Sequence, residues 1–236
     1  MLNVSFDQSE KSTFLYSPHF HFPTRNESES NQLNVQLSLP LNLDRNNVEN
    51  FIWNGFDRYY GANIKNFLPN LISIRQKGEI QSTLGLKIAS EGPIFIEQYL
   101  KKSIELFFQK ENVTRKQIGE VGNLFGTNKT FTRQLFIIAA LVASKAGISK
   151  LVFCATPQIK MILRNLCMSV FYIAEADPNK LGQESNHWGS YYDTSPELIA
   201  IDIDQAIYLI ERSERYSEIA YTFSSQIEDI ANNLLK

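Results

Sequence analysis

Cysteine is almost absent from this chain: Cys154 and Cys167 are the only two among 236 residues. Two cysteines cannot build a disulfide scaffold or a cysteine-based zinc site. Their apolar surroundings predict two buried free thiols in a reducing, cytoplasmic setting, with no metal. Charge of one sign is also missing. Lys plus Arg is 23 and Asp plus Glu is 25, net −2, so there is no basic excess to engage a phosphate backbone and no nucleic-acid partner is expected. Long apolar runs are missing too. The longest, 135–143, has nine residues, whereas a bilayer span needs about 20. The opening MLNVSFDQSEKSTF has no basic region followed by an apolar run, so no secretion signal is expected. The sequence contains no G-x-S-x-G, Walker loop, G-x-G-x-x-G or H-E-x-x-H, which argues against common serine hydrolases, P-loop enzymes, Rossmann dehydrogenases and zincins. No internal repeat is visible.

What is present is a core-forming apolar content of 43%, enough for one ordinary domain with appendages. Residues 1–31 are polar and irregular and read as a flexible N-terminal arm, in which His19 and His21 are too few for a metal site. Alternating Leu33, Val35, Leu37 and Leu39 predict a strand. Val48, Phe51, Ile52, Phe56 and Tyr59 then predict a helix, with Asp44 as its N-cap and Gly61 as its C-cap. Strands are predicted at 71–75 and 80–89 around a tight QKGE link, with a bulge at Gly85. A brief strand at 94–96, a short helix at 103–110 and a strand at 118–124 follow.

Residues 132–145 then read as a helix, 150–155 as a buried strand, 157–166 as a helix opened by Pro157, and 170–174 as a strand. The unit of strand 118–124, helix 132–145 and strand 150–155 is a parallel crossover. A loop with a short aromatic strand at 188–192 leads into residues 197–236, read as helical. Antiparallel hairpins first and a parallel crossover later make a mixed α+β sheet rather than a doubly wound one.

Several residues could carry chemistry. Strand 118–124 feeds FGTNKTFT and then a helix, so Gly126, Thr127, Lys129 and Thr130 could place backbone N–H groups and a helix N-terminus on a phosphate; an ordinary strand-to-helix turn has the same spacing. Glu120 is a carboxylate in an apolar strand, fit to be a general base for an amine or a partnered structural group. Glu97, beside Tyr99, invites the same two readings. Trp188, Tyr191 and Tyr192 could line a cleft, with a tyrosine as general acid, or cap the core. His187 reads as a surface residue.

DRYYGA (57–62), Leu68-Pro69, EGPIFIEQYL (91–100), EVGNL (120–124), FCATP (153–157), ADP (176–178) and WGSYYDTSP (188–196) together resemble the thermostable haemolysin family of bacterial proteins. The match runs over roughly 45–204 and keeps the motif order. The family is similar in element order to the GNAT acyltransferase fold, including acyl-homoserine-lactone synthases. That resemblance implies a GNAT-like mixed central sheet flanked by helices at 32–204, with a C-terminal helical extension at 205–236.

It also implies an acyl group carried by acyl-CoA or an acyl carrier protein and moved to a small amine. Glu120 would be the base, Tyr191 or Tyr192 the acid, and Glu97 a second carboxylate. Asn123, Leu124, Phe125, Gly126, Thr127, Lys129, Thr130, Thr132 and Arg133 would hold the donor's phosphates. Trp188, Arg58 and Tyr99 would face the acceptor. The loop departs from the acyl-CoA pattern Gln/Arg-x-x-Gly-x-Gly/Ala by having only Gly126. The arm and tail lie beyond the match and are available to a partner or a dimer. Two other readings stand beside the transferase: a membrane-active haemolysin, for which only the mixed-charge C-terminal helix is a candidate segment, and a non-catalytic module that binds an acyl ligand.

Overall fold

The computed structural model describes residues 33–235; the predicted arm, with His19 and His21, lies outside them. Its strands are β1 (Leu33–Ser38), β2 (Asn70–Gln76), β3 (Glu79–Ile88), β4 (Ile118–Gly126), β5 (Lys150–Ala155), β6 (Val170–Glu175) and β7 (Glu197–Asp202). They form one sheet in the order β1-β2-β3-β4-β5-β7-β6. The α-helices are α1 (Arg45–Tyr60), α2 (Lys129–Lys145), α3 (Pro157–Asn165), α4 (Ile203–Glu211), α5 (Glu214–Thr222) and α6 (Ser224–Leu234).

Local chemistry explains most of these elements. Val48, Ile52 and Phe56 recur every fourth residue and are buried, which lays α1 on the sheet over β2, β3 and β4. Gly61 closes α1 at φ 62, its N–H bonding the Asp57 carbonyl. Asp44 makes no capping bond and pairs with Arg75 instead. The β2–β3 hairpin turns on Lys77 and Gly78, both at positive φ, a two-residue turn whose twist matches the strands. Asn128 caps α2, accepting from the Thr130 N–H at 2.7 Å. The helix therefore starts three residues before the predicted 132.

The structure corrects five expectations. Residues 197–202 are strand, not helix: β7 returns between β5 and β6, antiparallel to both, so β4–α2–β5 supplies the parallel pair. Residues 95–99 form a 3-10 turn, because the Glu97 side chain folds back onto the Ile94 N–H. Residues 103–110 break into short 3-10 turns, and 188–192 are turn rather than strand. Cys167 is exposed and at φ 58, so only Cys154 comes near the buried thiol expected of both.

The sheet's two faces differ in what covers them. One carries α2, α3 and the C-terminal helical region. Leu135, Phe136 and Ile138 of α2 meet Leu84, Val121, Phe153 and Ile201 of the sheet, together with Ile203, Ile210, Ile227 and Ile230 of the tail. The other carries α1 and the segments 89–117 and 178–194, with Ile118, Val152, Leu198, Phe56 and Tyr191 among its buried residues.

Candidate active site where two strands part

Strand β4 pairs with β5 from Ile118–Lys150 to Val121–Phe153 and no further. Beyond that point β4 follows β3 to Gly126, and β5 follows β7 to Ala155. The cause is a bulge. Gly85 pairs with Gly122 and Thr83 with Phe125, so Leu84 alone faces both Asn123 and Leu124. Asn123 takes φ 50, a conformation asparagine tolerates better than most residues. An extra residue bends and twists its strand, and here it turns the end of β4 away from β5.

The bulge thus sits on β4 rather than at the predicted Gly85. Gly85 is small for another reason: a Cβ there would lie 2.8 Å from the Leu68 side chain. The Asn123 amide clamps the chain crossing that face, accepting from the Leu68 N–H at 2.8 Å and donating to the Asn66 carbonyl at 3.1 Å.

A polar cluster lies under the parted strands on the α1 face. Glu120 is 2% exposed. Its oxygens accept the N–H groups of Phe95 (2.9 Å) and Ile96 (2.8 Å). Burial raises its pKa and outweighs those two bonds. Tyr99 is also buried, and its hydroxyl bonds the Tyr192 hydroxyl; burial raises both phenols. The Tyr191 hydroxyl donates to the Cys154 carbonyl at 3.3 Å, one residue beyond the last β4–β5 pair. Burial and the nearby Glu120 charge push the Cys154 thiol up to about 12. Trp188 packs on Tyr191 (5.3 Å), Phe95 (5.4 Å) and Phe56 (6.2 Å). Gly189 at φ 53 lets this segment meet α1, where any Cβ would strike the Tyr60 carbonyl. The strands therefore part beyond Val121, and Tyr191 and its ring neighbours pack against β5.

The remaining predicted residues divide. Glu97 is held by partners of its own beside the cluster. Arg115 grips both its oxygens, at 2.6 and 3.1 Å, and the Ile104 and Ile94 N–H groups add to the grip. Burial opposes ionisation there, but these bonds prevail and hold the carboxyl at about 2. Arg58 is exposed on α1, with no ion pair among the described residues. Phe125 sits under α1 between Phe51 and Tyr59, where Gly55 makes room for its ring. Leu124 packs against the core beneath α2.

The loop's own groups consume part of the expected N–H cradle. Thr127 donates to the Gln81 carbonyl, Thr130 to the Asn128 side chain and Thr132 to the Asn128 carbonyl. The Thr132 hydroxyl also bonds that carbonyl. Gly126 has no side chain because a Cβ would strike Thr132 and Ser82. Lys129 is exposed, and Arg133 lies on the second turn of α2. Cys154, Phe56, Tyr60 and Arg115 escaped the sequence reading as site residues, since the contacts that define them come from distant segments.

Chemically, the site offers a buried carboxylate that forms no ion pair among the described residues, hydroxyls held neutral, and a strand edge released from its partner. Among the described residues, no three His, Cys, Asp or Glu gather to hold a metal. No helix there is long and apolar enough to cross a membrane.

A family profile described as thermostable hemolysin matches residues 40–207. No curated protein matches by sequence. Among solved structures, the acyl-homoserine-lactone (AHL) synthase LasI is similar at TM-score 0.52 and 12% identity, over 73% of this chain and 91% of that one. FeeM, an N-acyl amino acid synthase from uncultured soil microbes, is similar at TM-score 0.53 and 11% identity, over 76% and 95%. BjaI, a CoA-dependent acyl-homoserine lactone synthase solved with SAM and isopentyl-CoA, is similar at TM-score 0.50 and 10% identity, over 77% and 89%. These likenesses establish a GNAT-like fold.

Proposed function

The chain belongs to the thermostable hemolysin family, and we propose that it is an N-acyltransferase moving an acyl group from a phosphopantetheine thioester to a small amine. The donor is acyl-CoA or an acyl carrier protein. The observation that carries this reading is the release of β4 from β5 beyond Val121, over a buried carboxylate and two hydroxyls. A strand edge without a partner can take the amides of an extended ligand, as the donor's arm would need. The solved relatives that share the fold include synthases whose names describe N-acylated products.

In the proposed reaction the amine attacks the thioester carbonyl. A carbon–nitrogen bond forms, the carbon–sulfur bond breaks and the thiolate leaves. Glu120 accepts the amine's proton, its proton affinity raised by burial. Tyr192, paired with Tyr99, hydrogen-bonds the departing sulfur and gives it a proton, regained from solvent. Strand-end N–H groups near Asn123 stabilise the oxyanion. For the donor to enter, segment 183–194 swings out about Gly182, which is at positive φ, and Tyr191 releases the Cys154 carbonyl.

The lytic reading gains no support from the tail, whose isoleucines in α4–α6 mostly face the core. The test is thiol release and product mass, measured with acyl-CoAs, acyl carrier proteins and an amine panel. Acceptor-dependent release, reduced about 10²-fold or more in Glu120→Gln, is expected. Binding without any N-acyl product would leave a non-catalytic module, and red-cell lysis without thiol release would favour the haemolysin.

A further inference from the structure

Across the ladder from Glu120, on β3, stands Lys87. Partners in an antiparallel ladder project from the same face, with Cα atoms about 4.5–5.5 Å apart. A lysine and a glutamate so placed ordinarily attract each other across the strands. Here they do not close into a pair: among the described residues Lys87 is in no ion pair. Its ammonium donates instead to the Pro93 carbonyl at 2.7 Å.

That bond ties Lys87 to the same turn that holds Glu120. Pro93 offers its carbonyl to the ammonium, and the following Phe95 and Ile96 offer N–H groups to the carboxylate. The turn is strapped between a cation and an acid, its acceptor toward one and its donors toward the other. Moving the Pro93 carbonyl would move the amides that aim at Glu120.

The charges around Glu120 give the strap a second effect. Val152 of β5, its partner on the other side, is apolar. Tyr99 and Cys154 lie close by, but burial raises both and keeps them neutral near pH 7. Glu97 is negative, so it works against a second charge at Glu120, and it is already matched by Arg115. Lys87 has no anion of its own and favours the ionised carboxylate. A base must be ionised to take a proton, and burial by itself favours the protonated form.

We propose that Lys87 is a positioning residue for Glu120: from the opposite strand it holds the turn that aims two amides at the carboxylate, and it supplies the charge that keeps the carboxylate ionised. Only the use of that ionised group, to accept the amine's proton, rests on the acyltransfer reading above. Lys87 touches no reacting atom and keeps its own proton throughout.

The carboxyl carbon-13 shift of Glu120, followed against pH in the labelled protein, tests this without turnover. Lys87→Gln keeps a hydrogen-bond donor and loses the charge. It should raise the Glu120 midpoint by about half a unit or more, and Lys87→Arg should restore it. Lys87→Met reads the same loss of charge if Lys87→Gln does not fold. A midpoint unmoved by loss of the charge, or raised as much by Lys87→Arg, would overturn the proposal. With donor and amine present, the acid limb of the kcat/KM profile should move up with the midpoint, lowering the rate there about threefold or more. A raised midpoint without any N-acyl product keeps the role of Lys87 and ends the acyltransfer reading. Product with an unmoved midpoint keeps that reading and ends the role of Lys87.

Discussion

The two faces of this sheet are built from different materials. The α2 face is nearly all aliphatic, with α2 itself enclosed between the strands and the three C-terminal helices. The α1 face carries rings, hydroxyls, a thiol and a carboxylate, and its cover is made largely of short 3-10 turns. An aliphatic layer gains stability from close packing and tolerates no gaps. A polar layer gains little net energy from each hydrogen bond, so its composition is better explained by use than by stability. The difference teaches that the first face holds the strands in place while the second is where chemistry is possible.

Truncation should expose this difference most sharply. Phe136→Ala removes a ring that is 1% exposed on the α2 face and should cost about 3–5 kcal/mol by urea denaturation. Tyr99→Phe, which deletes only a hydroxyl from the polar face, should cost about 1 kcal/mol. Similar costs for the two would erase the distinction.

A smaller effect is electrostatic and lies within the polar face. Glu97 is held at about 2, below its ordinary 4.5, so it contributes stability above pH 4.5 that is lost as pH falls toward 2. The loss should be on the order of 1–3 kcal/mol, and Arg115→Gln should remove most of it in acid titrations followed by circular dichroism. Glu120 has the opposite sign. Its raised pKa means that its contribution is present below the ordinary carboxylate value and fades as pH rises through the raised one. Smaller still, Asn128→Ala should cost about 1 kcal/mol by loss of the α2 cap, measurable as a shift in urea midpoint.

Much of the framework was legible because it is locally encoded. Strand β5 matches its predicted bounds, Pro157 opens α3, Gly61 closes α1, and the β4–α2–β5 crossover is parallel as read. Strand β7 was missed because Ile199 and Ile203 fit helical spacing, and only pairing with β5 and β6 decides otherwise. A glycine within β3 suggests a bulge there, whereas the extra residue lies on β4 at Asn123, facing Leu84, because asparagine also tolerates positive φ. Segment 89–117 gave no usable local signal. Its shape depends on Arg115 reaching Ala89, Gly92 and Glu97. The Tyr99–Tyr192 bond spans 93 positions. No periodicity reports such a contact, so each tyrosine could be named but not their pairing.

The central claim is that the gap opened by Asn123 receives the arm of an acyl donor. Amide hydrogen exchange with and without acyl-CoA or acyl carrier protein reads it directly. New protection confined to 122–126 and 153–155, with faster exchange across 188–194, is the expected result. Unchanged exchange in both strand segments, with either donor at saturating concentration, would contradict it.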